Sequence, residues 1–208
     1  MGSMDDRELL NTAVSLLDRG HVDTAVELLE TLRPRLPDDP VVLGSLGMAA
    51  LTKGAYAKAE QLLNMALEAN PTFYPALLNK GILLMTLGDC EGAIALYDRA
   101  IDIHPRYAEA YSNRANAKAL LGQTEEALTD YGRALALKPG FADAHYNLAY
   151  TFYRLGETDK ALSELEAAVT LQPTHRLAWQ LQLSIHVERD QSGDAERCQE
   201  HLRKLEQS

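Results

Sequence analysis

Chemistry in this 208-residue chain would have to come from a small set of side chains. Six histidines (His21, His104, His145, His175, His186, His201) and two cysteines (Cys90, Cys198) are bases, nucleophiles or metal ligands by type. Their spacing joins none of them. There is no HExxH, no CxxC and no His/Cys cluster with metal-ligand spacing, and the phosphate-loop, dinucleotide and nucleophile-elbow signatures are absent. Neither catalysis nor a metal nor any other cofactor is therefore expected. Asparagine behaves differently. Asn79, Asn113 and Asn147 stand 34 residues apart, and Asn11 falls on the same register two steps before Asn79. A carboxamide carries both a donor and an acceptor, so a row of them could bond the amides of an extended peptide in both senses.

The elements that would position such a row follow from the same interval. Prolines at Pro37, Pro71, Pro105, Pro139 and Pro173 are each 34 residues from the last, as are glycines at Gly20, Gly54, Gly88, Gly122 and Gly156. Alanines at Ala25, Ala59, Ala93, Ala127, Ala161 and Ala195 keep the same step. Three residue types holding one period without an insertion define a repeat. Within it, Tyr111, Ala115, Lys118 (through its stem) and Leu121 recur at helical spacing up to Gly122, where a left-handed residue without a Cβ ends a helix. A second helix carries Ala127, Leu128, Tyr131, Ala134 and Leu135 on one face, and Pro139 closes it. Ala13, Gly47, Gly81, Ala115 and Ala149, at the eighth place of successive repeats, let the two helices approach, while Leu63, Tyr97, Tyr131 and Leu165 fill the flanks. One such pair cannot bury its apolar faces alone, so neighbours must stack.

The period, the small eighth residue, the alanine of the second helix, the aromatic or leucine four residues later and the terminal proline together resemble the tetratricopeptide repeat. That resemblance implies an all-α fold, a right-handed α-solenoid of tandem helix-turn-helix units. The expected organisation is 1–5 as tag remnant and N-terminus, then repeats at 6–39, 40–73, 74–107, 108–141, 142–175 and 176–208. Met1-Gly2-Ser3 reads as an expression scar ahead of Met4. The sixth unit departs from the pattern: Leu183 replaces the small residue and Asp190 the turn glycine, which puts close packing of its two helices in doubt. Its last helix has one apolar stripe (Ala195, Cys198, Leu202, Leu205) under a charged covering, and reads as a degenerate C-terminal cap that ends the array.

In this family the first helices line a concave face where partners bind, so the resemblance implies a peptide groove. Its residues would be Asn11, Met48, Asn79, Ile82, Met85, Asn113, Asn116, Tyr146, Asn147, Tyr150 and Tyr153. The asparagine row is similar to the ladder in the repeats of O-GlcNAc transferase, as are the segments around Phe73, Tyr107 and Phe141 just before new helices. Packing between adjacent first helices is the competing role for Leu10, Leu51 and Leu78. The family's chaperone-type carboxylate clamp is not expected, because the corresponding places hold Leu10, Val14, Pro75, Leu78, Ser112 and Asp143. The expected function is a non-enzymatic protein-protein interaction scaffold with a protein or peptide partner. Alternatives are a self-associating module (a homo-oligomer) or the recruiting arm of a larger enzyme such as a glycosyltransferase. Net charge of −10 and a pI near 5.0 argue against nucleic acid or an anionic membrane as partner. Two cysteines without a pairing pattern fit a reducing compartment, and a cytoplasmic location is expected.

Overall fold

A computed structural model describes residues 5–207, so Met1-Gly2-Ser3, expected to be a scar, together with Met4 and the final Ser208 lie outside the described residues. The described residues form twelve α-helices and no strand. They fall into two compact units, the first ending at Arg106 and the second beginning at Tyr107. The first unit holds α1 (Asp6–Asp18), α2 (Val22–Leu32), α3 (Pro40–Thr52), α4 (Tyr56–Ala69), α5 (Tyr74–Thr86) and α6 (Cys90–Ile103). The second holds α7 (Ala108–Leu120), α8 (Thr124–Leu137), α9 (Ala142–Arg154), α10 (Thr158–Leu171), α11 (Arg176–Glu188) and α12 (Ser192–Gln207).

Each odd-numbered helix pairs with the next even one through a short turn. Gly20, Gly54, Gly88, Gly122 and Gly156 sit there at φ between +72° and +88°, where a Cβ would be strained. The N–H of the residue after the glycine reaches back to cap the first helix, as in His21 to Leu16 O at 2.9 Å and Gln123 to Lys118 O at 2.9 Å. In the sixth hairpin Asp190 takes the left-handed place at φ +55°, and Gln191 N–H still closes on His186 O at 2.9 Å. A short polar side chain tolerates that conformation, so the turn keeps its form without glycine. This hairpin is held by its own means. Trp179 stacks on His201 with ring centroids 4.1 Å apart, and Trp179 Nε1 and His201 Nε2 both donate to Pro173 O, at 2.9 and 2.8 Å.

Contacts inside each unit explain its layering. In the first, α3 touches both α1 and α5, while α2 and α4 reach only their hairpin partner and the next odd helix. In the second, α9 touches α7 and α11, with α8 and α10 placed likewise. The odd helices therefore make one layer of each unit and the even helices the other. Small residues set the spacing between layers: Gly47 faces Leu63, and Gly81 lies against the ring of Tyr97, which is fully buried.

One hairpin carries a buried charge network. Arg114 donates from Nε and Nη2 to the two oxygens of Asp130, at 2.8 and 2.7 Å, and Lys118 Nζ stands 2.9 Å from Asp130 Oδ2. The side chains are 17%, 7% and 14% exposed for Arg114, Asp130 and Lys118, so two cations of α7 are neutralised in part by one carboxylate of α8. A partner for each charge is what makes such burial tolerable.

Candidate functional site

On the first unit's odd-helix layer, Asn11 stands exposed on α1 and Asn79 half-buried on α5. Neither carboxamide has a hydrogen-bond partner among the described residues. Ile82 and Met85, on the same helix as Asn79, are half-buried. Met48 on α3 packs against the unit's core together with Leu10 and Leu51, and Leu78 is buried outright. These apolar residues thus have a packing role that accounts for much of their surface, while the two amides have none.

In the second unit Asn113 and Asn116 lie on α7, and Tyr146, Asn147, Tyr150 and Tyr153 on α9. The carboxamides of Asn113 and Asn147 are again without partners among the described residues. The three tyrosines part company. Tyr146 leans on the His175 ring at 5.0 Å, and burial pushes its phenol above the ordinary tyrosine value. Tyr153 donates its hydroxyl to Glu188 Oε1 at 2.6 Å, and that bond raises its pKa in turn. Both pack against the core that α9, α10 and the sixth hairpin share. Tyr150 alone projects, with 46% of its surface exposed.

Tyr150 forms one wall of a cavity of about 340 Å³ whose other walls come from the C-terminal half of α7, the turn after it and α9. Asn116, Asn147 and Tyr150 meet there, with Leu120, Tyr131 and Arg154 beside them. Asn113, Tyr146 and Tyr153 do not line it. Tyr131 closes the floor from α8, donating its hydroxyl to Asn116 Oδ1 at 2.5 Å. Thr151 Oγ1, also at the cavity, donates to Asn147 O at 2.9 Å, which steadies the backbone turn carrying Asn147. Tyr131 and Thr151 were not among the expected groove residues. The trace of Tyr131 in the sequence is a tyrosine facing an alanine, Ala115, where the other tyrosine at this place, Tyr97, faces a glycine.

The histidines do structural work. His145 Nδ1 lies 2.6 Å from Glu164 Oε2 and its Nε2 3.1 Å from Pro139 O, tying α9 to α10 and to the preceding turn. His175 caps α11: its Nδ1 accepts from Ala178 N–H at 3.2 Å, and Nε2 sits 3.2 Å from Asp143 Oδ1, too far out of line to hydrogen-bond it. Among the described residues no three His, Cys, Asp or Glu side chains converge as a metal-binding group, and no helix is long and apolar enough to cross a membrane.

Comparisons with known proteins agree on one architecture. One tetratricopeptide repeat profile matches residues 10–72 and a second matches 142–175, and a TPR repeat profile matches 81–122 and 115–156. No curated protein matches the sequence closely enough to count as a relative. Among solved structures, a thermophilic TPR protein of Thermus thermophilus aligns with a TM-score of 0.75 at 24% identity, over 88% of this chain and 96% of its own. YrrB, described as a TPR protein with an unusual peptide-binding site, aligns at 0.57 and 24% identity over 85% and 91%. MamA aligns at 0.59 and 26% identity over 77% and 92%.

Proposed function

Because the chain belongs to the tetratricopeptide-repeat family, we propose that it is a non-enzymatic scaffold that holds an extended peptide or protein segment against its odd-numbered helices. The observation that carries this reading is the set of asparagines at one register. Asn11 and Asn79 in the first unit, and Asn113 and Asn147 in the second, keep donor and acceptor unspent within the chain. A bound peptide's backbone can replace water on both the donor and the acceptor of such an amide, so each site can add affinity with little regard to the ligand's sequence. Ile82 and Met85 beside Asn79, and Tyr150 beside Asn147, offer apolar contact to the ligand's side chains. The repeats of the scaffold are 6–39, 40–73, 74–107, 108–141, 142–175 and 176–208, the last a degenerate cap. YrrB gives a precedent for peptide binding on this fold.

The test begins with affinity capture of a partner and mapping of its bound segment. Asn79→Ala, Asn113→Ala and Asn147→Ala are then compared with the parent by calorimetry, with circular dichroism to confirm that helix content is kept. Each substitution should weaken binding by about 0.5–1.5 kcal/mol, the net value of one hydrogen bond. Unchanged affinity in all three would remove the amide row from the mechanism. Light scattering across a concentration series separates this reading from self-assembly: a mass that rises with concentration, and falls back in the asparagine variants, would make a second copy the occupant.

A further inference from the structure

The cavity between α7 and α9 has a chemistry of its own. Its side walls are apolar, from Ala119, Leu120, Leu155 and the Tyr150 ring. Its free donors are chiefly amide and guanidinium N–H groups, because the Tyr131, Thr124 and Thr151 hydroxyls give their protons within the chain. Asn116 spends its oxygen on the Tyr131 hydroxyl, which leaves its N–H groups to face the space. The Asn147 carboxamide and the Arg154 guanidinium have no partner among the described residues. No Asp or Glu lines the cavity, in a chain whose net charge is −10.

The acids that follow Arg154 on the chain are engaged elsewhere: Glu157 pairs with Lys160 and Asp159 with Arg189 at 2.7 Å. Glu188, from the next hairpin, receives the Tyr153 hydroxyl. Arg154, on the last turn of α9, is therefore an uncommitted cation beside an apolar hole. A guanidinium presents a planar fork that fits a carboxylate in two parallel hydrogen bonds. About 340 Å³ lies at the lower end of the roughly 300–1,000 Å³ typical of ligand pockets, which suits one large side chain better than a cofactor.

We infer that this cavity takes a bulky apolar side chain from an extended acidic segment, whose adjacent Asp or Glu carboxylate is held by Arg154. The inference rests on the peptide-binding reading above and gives it a specificity. The bound residue is internal to its chain, because Asn113 and Asn147 grip backbone one repeat apart within the same unit, and the cavity lies beside the second grip. The asparagines supply affinity with little regard to sequence. The cavity and Arg154 supply the preference.

The test uses the 15N-labelled full chain titrated with octapeptides capped at both ends: Ser-Gly-Ser-Phe-Glu-Ser-Gly-Ser, the same peptide with Gln for Glu, and the same with Ala for Phe. The Phe-Glu peptide should shift amide resonances of α7 and α9. The Phe-Gln and Phe-to-Ala peptides should each bind about tenfold more weakly, from loss of a charge-assisted contact and of a buried aromatic ring respectively. Arg154→Gln should bring Phe-Glu down to the level of Phe-Gln and leave Phe-Gln unchanged. Equal binding of the Glu and Gln peptides, with both weakened by Asn147→Ala, would overturn the acidic preference while sparing the peptide reading. Absence of any shift in α9 with all three peptides would sink both. Tighter binding by Ser-Gly-Ser-Phe with a free C-terminal carboxylate would overturn the assignment to an internal side chain.

Discussion

Substituting Gly81 by alanine sets two well-known effects against each other. In the middle of a helix, Gly→Ala stabilises by about 1 kcal/mol, because the glycine backbone loses more freedom on folding. At Gly81 the added methyl would meet Tyr97 Cζ at 2.8 Å and Cδ1 at 2.9 Å. Real Cβ atoms do not approach a ring that closely, and the buried ring has no room to swing away. Overpacking of this kind costs about 1–3 kcal/mol. Ala115 opposite Tyr131 in the second unit shows that a hairpin spacing compatible with both residues exists, so the lower part of that range applies. The net expectation is destabilisation of about 0–1 kcal/mol, or a Tm lowered by at most roughly 2–4 °C in a chain of this size. Gly132 is the control, since it is exposed on α8 and a methyl added there would meet nothing within 4 Å. Gly132→Ala should raise Tm by roughly 2–4 °C. Urea titration followed by circular dichroism, with hydrogen exchange to localise the effect to α5 and α6, measures both. Adding Tyr97→Leu to Gly81→Ala recreates the combination present as Ala13 with Leu29, and the pair should be less destabilised than the sum of the two single variants. If Gly81→Ala were as stabilising as Gly132→Ala, the claim that small residues set the distance between the layers would fail.

Two further outcomes follow from buried polar groups. Asp130→Ala removes the carboxylate that Arg114 and Lys118 share and leaves Lys118 with Glu126 at 3.2 Å, so it should cost about 3 kcal/mol by urea titration, the low end for a broken buried pair; a loss below about 1 kcal/mol would show that the remaining contacts and water suffice for both cations. Burial pushes the Tyr131 phenol up to about 12 and holds that of Tyr97 well above the usual tyrosine range. Folded-state values above the unfolded one of about 10 mean that the fold binds these protons more tightly, so the stability they contribute is whole below about pH 10 and declines as pH climbs towards 12. An ultraviolet absorbance titration should show these two of the nine tyrosines ionising only with unfolding; complete ionisation of all nine near pH 10 with the helices intact would contradict the burial.

The fold was legible because its information repeats. A turn glycine, a small residue at the helix contact and a closing proline each recur at one interval, so any single exception is outvoted. Asp190 shows the limit of that reading: the sequence reports a missing glycine, while the backbone keeps the same left-handed turn because a short polar side chain can adopt it. The asparagine register was legible for the same reason as the fold. The cavity was not, because it exists only where the end of α7, the start of α8 and one face of α9 come together, and its floor is a residue whose periodicity says only that it packs. Periodicity likewise could not divide Tyr150 from Tyr146 and Tyr153. All three share a face of α9, but only His175 and Glu188, from the next hairpin, decide which of them are occupied. Lys118 is a similar case. Its stem lies where an apolar side chain was expected, and its ammonium group finds an acid on α8 that the repeat pattern does not single out.

The layering has a consequence for how the chain comes into being. Within each unit a helix touches only helices one or two places along the sequence. Nothing made early has to wait for a distant partner. At a synthesis rate of about 5–20 residues per second, a 34-residue hairpin leaves the ribosome in roughly 2–7 s, against microseconds for a helix to form. Within a unit each hairpin can therefore dock on its predecessor before the next is complete, and translation, rather than any search among alternative pairings, sets the pace of that unit's assembly.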